Sequence, residues 1–195
     1  MSTAVASHVL TAPLRGSRTR DVILVASATA FIAASAQVAI PLPFSPVPVT
    51  GQTFAVLVSV AALGPALSLA SLALYVALAF AGAPVFAPNA EGLHATGVAV
   101  LSMPTLGYVA GFFMSSIVLG ALAERGFTTT PLRTSVAMIA GNVTIYAFGL
   151  LWLHHALSAS WSNTFAWGLT PFLIGDAVKI AIAAGLLPIV WRFTR

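Results

Sequence analysis

Residues 168–191 read GLTPFLIGDAVKIAIAAGLLPIVW, an apolar run of membrane-spanning length that holds Asp176 and Lys179. Lys179 is the chain's single lysine, and Asp176 is one of four acids. On insertion scales each charge near a bilayer centre costs roughly 2.5–3.5 kcal/mol, so the two cost about 5–7 together. The eleven Leu, Ile, Val and Phe residues from Leu169 to Val190 offset about 3–7 kcal/mol, at about 0.3–0.6 each. The helix breaks roughly even, which no simple anchor requires. At i, i+3 the two charges share a face and can pair. Such a pair must face protein or a water-filled cavity rather than lipid. The rest of the chain is therefore read as the surround of this pair.

Composition agrees. Of 195 residues, 59% are hydrophobic and 6% charged, with mean hydropathy +1.00. Soluble domains carry about 25% charged residues, so this reads as an integral membrane protein. The absence of cysteine excludes disulfides and thiolate metal sites. Residues 1–20, with Arg15, Arg18 and Arg20, read as a disordered basic cytoplasmic tail, and residues 21–195 as one transmembrane domain. Ala34-Ser35-Ala36 has the look of a signal-peptide cleavage site, but the apolar run continues to Ile40 and suits a span.

The expected fold is all-α: a single bundle of six transmembrane helices with irregular, proline-rich outer loops. Helix 1 covers about residues 22–40, where Ala26, Ala30 and Ala34 form a small-xxx-small stripe. That stripe admits a close helix backbone, either a partner's or this chain's own. Residues 40–54, IPLPFSPVPVTGQTF, carry four prolines and cannot form a regular helix. The apolar run after them stops at Gly64-Pro65. From Gln52 it spans only about 18 Å, against a core of about 30 Å, so the proline segment is expected to dip into the membrane. Further helices are expected over about 66–81, 105–123, 133–155 and 168–191. A second irregular stretch, 82–104, carries Phe86, Asn89, Glu91 and His94. Trp167 and Trp191 would bracket the last helix about 36 Å apart.

Seven of the eight basic residues fall on one side of this layout: the tail, Arg125 and Arg133, and Arg192 and Arg195. The intervening loops have none, and Lys179 is the eighth. The positive-inside rule then places both termini in the cytoplasm and explains the basic charge without nucleic acid. Asp176 and Lys179 fall in the outer half of the last helix. Tyr146 and Asn142, i and i−4 on the fifth, lie at matching depths. Gln52 and Tyr108 lie near the outer ends of their helices. These polar groups converge on a small-molecule pocket, open or gated toward the outside. No phosphate-binding G-x-x-x-x-G-K-[ST] loop, H-E-x-x-H or G-x-S-x-G occurs. No cofactor is implied. His154 and His155 are adjacent, so they point apart on a helix, and an interfacial role suits them better than a shared metal.

Residues 40–54 resemble the first-loop signature of the BioY family, the biotin-specific substrate-binding S-components of energy-coupling factor (ECF) vitamin transporters. The likeness continues through Gly64-Pro65, GAPVFA at 82–87, Pro104-Thr105 with Gly107-Tyr108, YAFGLLWL at 146–153, and Gly175-Asp176 with Lys179. The long proline segment is specific; the Gly-Asp-x-x-Lys pattern alone is weak. One departure is the sequence PNAEGLH at 88–94, where the family tends to be glycine-rich.

The resemblance implies biotin capture from outside by a six-helix subunit of the cytoplasmic membrane. It implies that Ala26, Ala30 and Ala34 dock on a transmembrane coupling subunit joined to two ATPase subunits, with self-association as the other outcome. A ureido ring offers two N–H donors and one carbonyl. Asp176 suits the donors, and Lys179 or Asn142 suits the carbonyl. Phe86, Tyr146 and Trp152 suit the thiophane ring and chain. Gln52, Thr53 or Tyr108 are candidate donors to the carboxylate, and the reversed pose with Lys179 on the carboxylate stays open. So does a purely structural ion pair. Three other readings stand beside this one: a solo secondary transporter in which Asp176 carries a proton, an intramembrane enzyme, and a ligand-free scaffold.

Overall fold

A computed structural model describes residues 9–11 and 17–194. Its elements in chain order are α1 (Arg18–Gln37), strands β1 (Ala39–Leu42) and β2 (Ser45–Thr50), α2 (Gln52–Phe80), a 3-10 segment (Gly97–Ser102), and α3 (Leu106–Glu124). There follow α4 (Pro131–Ala156), α5 (Trp161–Gly168), a 3-10 turn (Thr170–Phe172) and α6 (Leu173–Thr194). Among the described residues, five helical segments are long and apolar enough to cross a membrane, with α5 and α6 joined in the last. The all-α bundle is as expected, although its helices are divided differently.

The break expected at Gly64-Pro65 is present as a kink inside α2. Gly64 takes φ 73°, a left-handed value that favours glycine, and Pro65 has no N–H to give the preceding turn. The expected second and third helices are the two arms of α2. At the other end of the chain, Gly168 closes α5 instead of opening the last helix. Ser160 caps α5, its side chain accepting from the Asn163 N–H. Pro171 sits in the single 3-10 turn that redirects the chain into α6. Trp167 thus belongs to α5, and the expected aromatic bracket on one helix is not formed.

Residues 39–50 are also more regular than expected. β1 and β2 pair antiparallel as a hairpin, Ala39 opposite Thr50 and Leu42 opposite Ser45, with a register shift between Ile40 and Leu42. Each strand of a two-stranded sheet has a free edge, which is where proline is tolerated. The pairing satisfies backbone groups that would otherwise be orphaned in an apolar surround. Ser45 Oγ donates to the Trp167 carbonyl (2.8 Å) and ties the hairpin to α5.

The core is set by close helix approach. A Cβ at Gly111 of α3 would lie 2.8 Å from the Ile145 Cα of α4, and one at Gly149 would lie 2.5 Å from the Tyr108 ring. In lipid, where association gains little from apolar burial, such small residues let backbones and dispersion contacts meet. α1 is the most peripheral helix; Thr29 Oγ1 reaches the Ser71 carbonyl of α2 (2.9 Å), while Ala26, Ala30 and Ala34 are exposed. Of the stretch read as a tail, residues 18–20 are helical, and Thr11 donates to the Ala62 carbonyl (3.2 Å). Residues 1–8 and 12–16, Arg15 among them, and Arg195 lie outside the described ones.

Candidate binding site

Asp176 and Lys179 sit one turn apart on α6, with Lys179 Nζ 3.1 Å from Asp176 Oδ1. Their side chains are 7% and 21% exposed. An ion pair this buried survives only if its remaining hydrogen-bonding capacity is met. Each ion has a hydroxyl for this. Lys179 Nζ donates to Thr53 Oγ1 of α2 (2.8 Å), and the Tyr146 hydroxyl of α4 donates to Asp176 Oδ2. The result is a chain, Thr53–Lys179–Asp176–Tyr146, drawn from three helices. Its formal charge is zero.

These four side chains line a cavity of about 370 Å³. That is within the range of small-molecule sites, about 300–1,000 Å³. The hairpin contributes Pro46, Val47, Pro48 and Thr50; the loop 82–104 contributes Phe86, Asn89 and His94; α3 contributes Tyr108 and Phe112. The wall is mostly apolar with a few convergent polar groups. Seven of the nine expected ligand residues therefore share one cavity: Gln52, Thr53, Phe86, Tyr108, Tyr146, Asp176 and Lys179.

Asn142 does not join them. It lies behind Lys179, lining a separate small void with Thr53, Phe54, Leu57, Met138, Lys179, Ile180 and Ala183. Trp152 is likewise absent from the cavity wall; its indole N–H donates to the Met103 carbonyl (3.0 Å) and holds the end of the loop 82–104 against α4. Of the expected carboxylate donors, Tyr108 is committed in full and Gln52 in part. Tyr108 donates to the Gly168 carbonyl (2.7 Å), and Gln52 Nε2 donates to Tyr75 Oη (2.9 Å). Tyr75 in turn donates to the Val85 carbonyl (3.0 Å) and meets the Phe86 ring edge-on at 4.9 Å. Tyr108 and Gln52 thus brace the cavity wall.

Sequence reasoning passed over Tyr75 and His94. Tyr75 is a phenol inside an apolar spanning run, and its need for a polar partner was the available signal. His94 is fixed by the loop: Asn89 Oδ1 accepts from the Glu91 and Leu93 N–H groups, and His94 Nδ1 donates to the Phe86 carbonyl (2.7 Å). Nδ1 faces an acceptor, so Nε2 is the ring's remaining polar atom. Among the described residues lining the cavity, His94 joins Asp176 and Lys179 as a group able to carry charge. His154 stacks on Trp161 (centroids 4.1 Å apart), and His155 neighbours Trp152, both in aromatic surroundings.

Known proteins match this chain along nearly its whole length. A crystal structure of the S-component for biotin from an ECF-type ABC transporter superposes with a TM-score of 0.77 over 91% of this chain and 95% of that one, at 22% identity. This supports the fold. The biotin transporter BioY of Thermotoga maritima is 36% identical over 165 residues, covering 85% of this chain and 92% of that protein. That of Rhizobium etli is 32% identical over 174 residues, covering 85% and 90%. The BioY family model matches residues 4–195. This membrane protein belongs to the BioY family.

Proposed function

We propose that the chain is the substrate-binding membrane subunit of a biotin uptake system, taking biotin from outside into the cavity between the hairpin, the loop 82–104 and α6. The carrying observation is the Thr53–Lys179–Asp176–Tyr146 chain opening on a cavity of about 370 Å³. Lys179 is neutralised by Asp176, so this end suits an uncharged, doubly polar group better than an anion. A ureido ring is such a group. Its N–H donors match the lone pairs left on Asp176, and its carbonyl matches the third N–H of Lys179. The thiophane ring and chain then run along Phe86 and Tyr146. The carboxylate falls toward the loops, where the uncommitted His94 Nε2 donates to it when the ring carries a proton on both nitrogens. The committed hydroxyl of Tyr108 argues against its reading it directly, whereas Gln52 keeps a second amide N–H.

Partners follow from the outside of the bundle. Val143, Ile117, Ile174 and Phe193 present exposed apolar surface that suits membrane lipid. Ala26, Ala30 and Ala34 form the exposed face of α1 and suit a transmembrane coupling subunit carrying two ATPases, or a second copy of the chain. The basic loops and ends argue for both termini in the cytoplasm. The test is mass spectrometry of gently purified protein, followed by titration after the ligand is removed. Co-purified biotin and saturable rebinding are expected; a clean protein that fails to bind added biotin would overturn the proposal.

A further inference from the structure

Asn142 poses a question the cavity does not answer. It is 7% exposed, and its Oδ1 is buried with no hydrogen-bond partner among the described residues. Leaving such an acceptor unmet carries a desolvation penalty, so a native structure normally supplies a partner. The void it lines is about 10 Å³, which is room for one water and no more. The other polar side chains on that void are Thr53 and Lys179; the rest are apolar. Thr53 Oγ1 accepts from Lys179, which leaves the hydroxyl proton to be donated elsewhere. A metal cation is a poor occupant, because Lys179 already brings positive charge to the same wall.

We propose that one water occupies this void, accepting from the Thr53 hydroxyl and donating to Asn142 Oδ1. This water makes Asn142 a positioning residue. It fixes the Thr53 hydroxyl so that its lone pair points at Lys179 Nζ, which holds the ammonium beside Asp176 with its third N–H directed to the cavity. The relay Asn142–water–Thr53–Lys179 extends the polar chain one step behind the site. The water itself stands on the void and the unpartnered oxygen; its effect on ligand affinity rests on the biotin reading.

The experiment is a pair of high-resolution crystal structures of the full chain, native and Asn142→Leu, with biotin titrations of both and of Thr53→Val and the double variant. Native density is expected at hydrogen-bond distance, about 2.7–3.2 Å, from both Asn142 Oδ1 and Thr53 Oγ1. In Asn142→Leu the water is gone and the Lys179–Thr53 contact loosens. Each single change weakens biotin binding by roughly 2- to 10-fold, the scale of one hydrogen bond. The double variant is no weaker than the worse single, since both break one relay. An empty native void, an unmoved Lys179 in Asn142→Leu, or fully additive losses would each overturn the proposal. If the native protein does not bind biotin at all, the function reading fails, and the two structures still decide the water.

Discussion

Asp176→Asn alone is a poor probe of the ion pair, and the structure shows why. The substitution keeps size and leaves an oxygen for the Tyr146 hydroxyl, but it strands Lys179 with Thr53 as its remaining partner. Breaking a buried pair costs about 3–5 kcal/mol. Lys179 is 21% exposed and opens on the cavity, so the lower part of that range applies. Loss of uptake would then report instability as much as lost recognition. The informative variant adds Lys179→Met, which removes both buried charges and keeps the aliphatic stem. Removing both charges leaves no unpaired buried ion, so the double variant melts no lower than Asp176→Asn. Its binding is expected to fall, because a charge-assisted hydrogen bond to ligand is lost. That bond is worth about 1.5–3 kcal/mol, roughly ten- to a hundred-fold in affinity. The assay is biotin titration of detergent-solubilised variants beside their melting curves. Near-native affinity in a folded double variant would refute the assignment of Asp176 and Lys179 to the ligand.

Further outcomes follow from other parts of the molecule. Ala30→Trp on the exposed face of α1 should abolish uptake while biotin binding to the isolated chain survives; loss of both together would mean that the alanine face packs within the subunit. Protease accessibility of terminal tags in sealed cells should find both ends protected, and an N-terminus open to the outside would sink the topology. Gly111→Ala forces a Cβ to within 2.8 Å of the Ile145 backbone and should lower stability by about 1–3 kcal/mol, whereas Gly185→Ala meets nothing within 4 Å and should be neutral in the same melting assay. A biotin amide, uncharged at the tail, should bind more weakly than biotin to the native protein but equally to His94→Phe. Unchanged discrimination in that variant would move the carboxylate away from His94.

Much of the fold was legible because the bilayer restricts the choices. Apolar length marks the spans, and Gly64-Pro65 marks a break whatever packs around it. The hairpin was not legible, because proline argues against helix and says nothing about which segment will pair with which. The short helix α5 was hidden for a related reason: Pro171 moved the start of the last helix five residues, from Gly168 to Leu173, and freed the preceding segment to cap itself through Ser160. Asn142 shows the limit of depth arguments. A rise of 1.5 Å per residue matched Tyr146 to Asp176 and Asn142 to Lys179, and both neighbourhoods exist. But i and i+4 differ by about 40° in azimuth as well as by about 6 Å in height. That rotation puts Tyr146 on the cavity and Asn142 behind it.

The polar residues divide by a rule that sequence states only in half. A polar atom inside a membrane protein must find a partner, and its presence in an apolar run announces the need. Which partner meets the need depends on the neighbouring helix. Tyr108 resembled a ligand donor by position, yet its proton goes to Gly168, and the phenol of Tyr75, which position did not single out, gives its proton to Val85. They are bracing. Asp176 keeps spare lone pairs after Lys179 and Tyr146, Lys179 keeps a third N–H, and His94 keeps Nε2. Spare capacity facing a cavity separates recognition from scaffold. By the same rule Asn142, with an acceptor spare and no cavity large enough for a ligand, belongs to water.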